Sequence, residues 1–255
     1  MASWGVRRPV STLLISVLVP LTAACSESAP DDASGPSIAP ESADATTTTV
    51  ASDGTPPPRT SYVAQVNGEV EVWEEANSSD STTLTPDGET SELLTFLVID
   101  RRDDGWLEVL LPGPPLGSKG FIQEDDIFLS RHRFRIEVSR STNEMIVFAG
   151  PLEAVRAPVA LGPDTPAAGT TTYVKELLAP EFMNIYGSPV YGLAGAANTP
   201  EEFKAGSGVV AIHPVEVSTL GRPAPAGSIG VDPAILARLT SGMTLPLGTP
   251  VDIVE

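Results

Sequence analysis

The chain has 255 residues, a single cysteine and a formal net charge of −18 at pH 7, from 33 acidic and 15 basic side chains. One cysteine excludes an internal disulfide. The acidic balance argues against a nucleic-acid partner, because phosphates attract Lys and Arg. The length allows one or two folded domains.

The first 25 residues have the layout of a secretory signal. Arg7 and Arg8 precede an apolar run over 10–21, and three small residues then lead to Cys25. The apolar run is shorter than the about 20 residues that a membrane-spanning helix needs. The string Leu-Thr-Ala-Ala-Cys resembles a bacterial lipobox, which implies that 1–24 is a signal peptide and that Cys25 carries a diacylglycerol. We therefore expect export and lipid anchoring at the outer face of the cytoplasmic membrane. The alternative is an ordinary signal peptide that contains a cysteine.

Residues 25–60 have the composition of a linker. They are rich in Ser, Ala, Pro, Asp and Thr, with a threonine run at Thr46–Thr49 and a proline run at Pro56–Pro58. Such a segment buries too little apolar surface to offset its chain entropy, so it is predicted to be disordered. Its prolines stiffen it into a spacer between the membrane and the folded part.

Residues 61–130 show short alternating apolar runs separated by turn residues, which predicts a small β-barrel. The predicted strands lie around Val63–Trp73, Leu93–Ile99, Trp106–Leu110 and Gly120–Ile122, with a turn at Asp103–Gly105. This part holds fifteen acids and three bases, a net charge of 3 − 15 = −12, which favours solubility. The stretch 103–127 resembles the bacterial Src-homology-3-like wall domain. Trp106 is expected in its core rather than in a ligand site.

The second part, 131–255, opens with a predicted β-hairpin. Phe134, Ile136 and Val138 alternate with charged residues, and a Ser-Thr-Asn turn leads to a returning strand over 145–148. Basic residues also alternate here, at Arg131, Arg133 and Arg135. This stripe is interpreted as a solvated face whose long stems cover apolar surface. Binding of an anionic polymer is the alternative.

One short helix is predicted near the C-terminus. Asp232 is placed as its N-cap and Pro233 as its first residue, and Gly242 ends it in the left-handed conformation. A turn and a closing strand follow over 248–253. Because the remaining segments are strand-like, the predicted fold class is mainly β.

The order of local strings over 132–255 resembles the L,D-transpeptidase catalytic domain. The strings are the opening hairpin, a segment with Thr165, Pro166 and Gly169, the pair Tyr186-Gly187, the strand VVAIHPV and the final strand LPLGTPVDIV. The resemblance implies a second β domain that acts on peptidoglycan stem peptides.

The chain departs from the signature of that family, which is a strand histidine followed by Ser/Thr-His-Gly-Cys, an apolar residue and Arg or Asn. His213 matches the first histidine, and Leu220-Gly221-Arg222 matches the residues that precede the rest of the signature. The other matched positions carry Pro225 for Ser/Thr, Ala226 for His, Gly227 for Gly, Ser228 for Cys, Ile229 for the apolar residue and Gly230 for Arg or Asn.

These departures suggest impaired catalysis. The family forms a thioester through its cysteine, whereas a serine hydroxyl is harder to ionise and needs a positioned base and a prepared oxyanion hole. The resemblance implies Ser228 and His213 at the catalytic positions, and Tyr186, Arg222 and Gly227 at substrate-binding ones.

Three functional hypotheses follow. The leading one is a non-catalytic, cell-wall-associated lipoprotein that binds peptidoglycan stem peptides or acts as a scaffold. The second is an active enzyme with Ser228 as nucleophile and His213 as base, in cross-linking or stem-peptide hydrolysis. The third places recognition in the acidic barrel at 61–130.

No metal site is expected. His132 and His213 are the only histidines, and neither belongs to a cluster with zinc-ligand spacing. No glycine-rich phosphate loop precedes a helix. We therefore expect no cofactor.

Overall fold

The structure is a computed structural model that describes residues 59–86, 93–178, 188–195, 210–224 and 229–255. The predicted signal peptide, the lipidation site Cys25 and nearly all of the predicted linker lie outside the described residues. The described part forms two β-sheets and one short helix, so the predicted mainly-β class is confirmed. No helix in these ranges is long and apolar enough to cross a membrane.

The first sheet has seven strands, which pair in the order β3-β2-β6-β5-β4-β1-β7. The strands are β1 (Ser61–Asn67), β2 (Val70–Trp73), β3 (Ser81–Leu84), β4 (Leu93–Arg101), β5 (Trp106–Leu110), β6 (Lys119–Gln123) and β7 (Phe128–His132). All neighbours run antiparallel. Strands β1, β2, β4, β5 and β6 fall on the predicted runs, because alternation places one set of side chains on the buried face. The run over 63–73 is divided at Gly68, which has a φ of 106°, and β3 and β7 were not predicted.

The core of the first sheet is aliphatic and aromatic. Phe96, Leu107 and Ile122 are fully buried in it. Trp106 is buried as well, packs edge-on against Trp73 at 5.0 Å between ring centroids, and donates its indole N–H to Asn77 Oδ1 at 3.2 Å. The prediction that Trp106 belongs to the core is confirmed.

The second sheet has nine strands, in the order β10-β9-β8-β16-β12-β13-β14-β15-β11. The strands are β8 (Phe134–Ser139), β9 (Glu144–Ala149), β10 (Leu152–Pro158), β11 (Ala160–Leu161), β12 (Thr171–Leu178), β13 (Val190–Leu193), β14 (Ala211–Pro214), β15 (Ile229–Val231) and β16 (Pro250–Val254). The pairs β8–β16 and β14–β15 are parallel, and the others are antiparallel.

The predicted hairpin is formed by β8 and β9, and its turn places Asn143 at a φ of 52°. The interpretation of the arginine stripe is wrong at Arg135. That side chain is only 4% exposed and lies over the ring of Phe148, with Cζ 3.6 Å from the ring centroid. Because a guanidinium stacks well on an aromatic face, this strand position buries an arginine where alternation indicated solvent. Arg131 and Arg133 are exposed, as predicted.

Helix α1 (Pro233–Ala237) begins where the sequence predicts. The Asp232 carboxylate accepts a hydrogen bond from the Ala234 N–H at 2.7 Å, which caps the helix. The helix continues as a π-helical turn over Arg238–Gly242. Gly242 is the last helical residue, but the left-handed residue is Thr244, at a φ of 49°. The predicted left-handed glycine cap is therefore wrong.

The two sheets pack together within one compact unit, which spans Thr49–Glu255. Tyr173 in β12 donates its hydroxyl to the carbonyls of Thr95 and Leu110, at 2.8 and 3.1 Å. Leu97 and Ala194 complete a small apolar cluster around this tyrosine. The first sheet ends at His132 and the second begins at Phe134. The predicted division into two domains at 130/131 stays a prediction.

Candidate functional site

His213 lies on β14, inside the second sheet. Its side chain is 5% exposed. Strand β13 pairs with β14 on one side, through Tyr191 and Ile212, and β15 pairs in parallel on the other, where Gly230 lies opposite His213. Tyr191 and Ile212 point into the main core of the sheet, so His213 and Gly230 lie on the opposite face.

The imidazole of His213 lies against the backbone of the residue that follows it. Its Nδ1 lies 3.3 Å from the carbonyl oxygen of Pro214, which accepts a hydrogen bond when Nδ1 carries the proton. Burial lowers the pKa of His213 below its ordinary value, and this backbone contact offsets part of that effect. A neutral imidazole accepts a proton or a hydrogen bond, so the residue keeps the chemistry of a base or of a polar binding group.

Gly230 leaves no room for a side chain. A Cβ built on Gly230 would lie 2.5 Å from Val215 Cγ1 and 3.3 Å from the carbonyl oxygen of Ala160. This is the position where the resemblance places Arg or Asn. The family's polar side chain is therefore missing here, and Val215 fills the space that it would need.

Arg222 lies on a turn that pairs with strand β11. The turn begins at Gly221, whose φ is 72° and whose N–H donates to the Val159 carbonyl at 2.9 Å. Two residues after Arg222, the Ala224 N–H donates to the Leu161 carbonyl at 2.9 Å. The Arg222 side chain is exposed, which leaves its guanidinium accessible to a ligand.

Most of the motif predicted from the sequence lies outside the described residues. This applies to Ser228, Gly227, Ala226 and Pro225, and also to Tyr186. Among the described neighbours of the motif, the Ala224 N–H donates to the Leu161 carbonyl, and Ile229 pairs with Leu161 of β11.

Glu176 is a buried acidic residue that sequence analysis did not single out. It is 7% exposed, and its carboxylate overlies Gly192, where a Cβ would come within 2.8 Å of it. Across β12, β13 and β14, Glu176 lies opposite Gly192, and Gly192 lies opposite Ala211. Ala211 and His213 are two residues apart on β14 and share a face, so Glu176 lies on the same face as His213. A β-bulge at Lys175 makes this possible, since it shifts the register between Val174 and Glu176.

The partner of Glu176 is its own neighbour in sequence. Lys175 Nζ lies 3.2 Å from Glu176 Oε1, which is an ion pair, although the geometry is not that of a hydrogen bond. The glycine at 192, inside an otherwise β-prone strand, is the one sequence signal for this close approach. His213 and Glu176 thus give the face a neutral imidazole and a carboxylate.

Metal binding has no support in the ranges that the structure describes, where no three His, Cys, Asp or Glu side chains form a group able to hold an ion. The expectation of no cofactor stays a prediction.

The fold and the buried histidine define a two-sheet, mainly-β protein with a candidate binding face on its second sheet. Comparison with protein-family models and with curated proteins gives no match. Solved structures similar to the chain include an L,D-transpeptidase from Xylanimonas cellulosilytica, at 13% identity and a TM-score of 0.31. The match covers 47% of this chain, and the chain spans 59% of that structure.

Two mycobacterial structures show the same general likeness. An L,D-transpeptidase from Mycobacterium smegmatis has 11% identity and a TM-score of 0.39, with 64% of this chain and 90% of that chain covered. L,D-transpeptidase 1 from Mycobacterium tuberculosis has 12% identity and a TM-score of 0.34, with 79% and 96% covered. The resemblance of the sequence motifs to the L,D-transpeptidase family stays a prediction.

Proposed function

We propose that this chain is an exported lipoprotein of the L,D-transpeptidase family that binds peptidoglycan stem peptides without cross-linking them. A lipid on Cys25 would hold it at the outer face of the cytoplasmic membrane, and 26–58 would act as a spacer towards the cell wall. The observation that carries the proposal is the packing of Gly230, because Val215 fills the place of a polar side chain that the family keeps beside its nucleophile.

The chemistry of the motif also favours binding over catalysis. Ser228 stands where the family has a thiol, and a hydroxyl needs a base and an oxyanion hole to act as a nucleophile. Burial lowers the pKa of His213, whose imidazole could act as a base, but Ala226 removes the second imidazole of the motif. Groups that act as a unit lose most of their effect when several are missing.

The face around His213 keeps groups that suit a stem peptide. A peptide of this kind carries amide groups, carboxylates and an amine. The buried Glu176 carboxylate can accept hydrogen bonds from an amine, and the imidazole of His213 can bond to an amide. The exposed Arg222 guanidinium suits a carboxylate.

Retention on purified peptidoglycan tests the proposal. The full mature chain is incubated with insoluble sacculi, and the bound fraction is measured with and without soluble stem peptide as competitor. We expect saturable retention that the peptide displaces. His213→Gln and Glu176→Gln should each weaken retention about fivefold to tenfold, as expected for the loss of one hydrogen bond in a polar site.

Glu153→Gln is the matched control, because Glu153 is an exposed carboxylate that pairs with Arg156 on β10. This variant should bind like the parent chain. Retention that is unaffected by either site variant, but is lost when the first sheet is altered, would place recognition in the barrel and contradict the proposal.

A further inference from the structure

An apolar cavity lies at the first sheet, with Lys175 of β12 in its wall, and its volume is about 290 Å³. The described residues that line it are Leu84, Thr85, Pro86, Leu93, Leu94, Thr95, Leu111, Pro112, Gly113, Pro114 and Lys175. Most of this lining is apolar, which makes the cavity a suitable place for a small apolar group.

A buried hydroxyl without a partner lies in the wall of this cavity. Thr95 is 2% exposed, and its Oγ1 has no hydrogen-bond partner among the described residues. Thr95 and Leu97 alternate with Phe96, which points into the core of the first sheet, so the threonine side chain faces the second sheet. A buried hydroxyl without a partner is costly, and such groups occur where water or a ligand completes the bond.

A half-buried ammonium group lines the same cavity. Lys175 Nζ is paired with Glu176 Oε1 at 3.2 Å, and its side chain is 16% exposed. The ion pair compensates the charge of the ammonium group, and its geometry leaves the N–H donors available. Because Lys175 is already paired, a charged ligand would bury its charge without a counter-ion of its own, whereas a neutral acceptor would not. The electrostatics therefore favour an uncharged ligand.

We propose that this cavity binds a short, mainly apolar molecule that ends in a neutral carbonyl group. The apolar part packs against Pro86, Pro112 and Leu111, and the carbonyl oxygen accepts hydrogen bonds from Thr95 Oγ1 and Lys175 Nζ. The Lys175–Glu176 ion pair joins this site to the stem-peptide face, but hexanamide binding is measured independently of peptidoglycan retention and does not depend on the function proposed above.

Hexanamide is the probe for this site, because it is a short alkyl chain that ends in a neutral amide. Binding to the full mature chain is followed by the backbone amide resonances of Thr95, Gly113 and Lys175. We expect saturable shifts at these positions. Hexanoate and hexylammonium should bind at least about tenfold more weakly, because each would bury an uncompensated charge in a mostly apolar cavity.

Two variants and a stability measurement make the test specific. Thr95→Val and Lys175→Met should each weaken hexanamide binding about fivefold, the effect of one hydrogen bond. Thr95→Val should also raise the melting temperature of the ligand-free chain, because it removes a buried hydroxyl that has no partner. Three results would each overturn the proposal. They are a lower melting temperature for Thr95→Val, binding of hexanamide by both variants as tight as by the parent chain, and no saturable shifts in the parent chain.

Discussion

Gly230 lies directly opposite His213 in the parallel pair of β14 and β15, and Val215 occupies the space in front of its Cα. A glycine at this position lets the chain that follows β14 fold back closely over β15. Val215 thus makes an aliphatic contact beside His213, at the position where the sequence resemblance places Arg or Asn.

Gly230→Ala should destabilise the protein by about 1 to 3 kcal/mol, because the new methyl group would overlap with Val215 and force it to move. Urea unfolding followed by tryptophan fluorescence measures the change. Gly242→Ala is the matched control, since a Cβ there meets only Arg238 Cγ, at an ordinary 3.7 Å. The control should be neutral or slightly stabilising. Equal stability of the two variants would show that Val215 does not fill the site.

Much of the fold could be predicted because alternation is a local signal. Five strands of the first sheet, the hairpin of β8 and β9, and the capped start of α1 follow from patterns within about ten residues. Strand β3, whose side chains are mostly exposed, and strand β7 were not predicted. The order of strands in the nine-stranded sheet is not local. Strand β16 lies between β8 and β12, a neighbour relation that no short string encodes.

The candidate site was predicted only in part, for physical reasons that differ between residues. His213 was found because the string VVAIHPV resembles the strand that carries the first histidine of the L,D-transpeptidase signature. Glu176 was missed because a bulge at Lys175 changes the face on which Glu176 lies, and a pattern of alternating residues does not reveal a bulge. Arg135 was misjudged because stacking on Phe148 overrides the usual exposure of an arginine.

Tyr173→Phe should lower the free energy of unfolding by about 1 to 3 kcal/mol. The change removes one hydroxyl that donates to two carbonyls of the first sheet, Thr95 and Leu110, and leaves both acceptors buried. Thermal unfolding, followed by far-ultraviolet and near-ultraviolet circular dichroism, measures the effect. Tyr62→Phe is the control, because no hydrogen bond of the Tyr62 hydroxyl joins it to other described residues. Similar losses for both variants would argue against Tyr173 as a link between the sheets.

Stability should fall as the pH drops below about 6.5, the ordinary pKa of histidine in an unfolded chain. Burial lowers the pKa values of His132 and His213 in the folded state, so the unfolded state binds more protons in this range. Protonation then favours unfolding, and the loss continues downward until the lowered folded pKa values are reached. Urea unfolding at several pH values between 7.5 and about 5 measures how steeply the free energy of unfolding changes with pH. This interval lies above the range in which carboxylates titrate.

The double variant His132→Gln, His213→Gln supplies the control for this slope. Each single substitution should remove part of the pH dependence, and the double variant should have almost none between those limits. An unchanged slope in the double variant would mean that groups other than the two histidines titrate on unfolding.

Acyl transfer by the mature chain tests the central claim most directly. The chain and its Ser228→Ala variant are incubated with a donor stem peptide, and separately with a carbapenem, and intact-protein mass spectrometry and product analysis follow. The account predicts no covalent adduct and no cross-linked or hydrolysed peptide above the buffer blank, with the two proteins indistinguishable. An adduct or turnover by the parent chain that disappears in Ser228→Ala would contradict it.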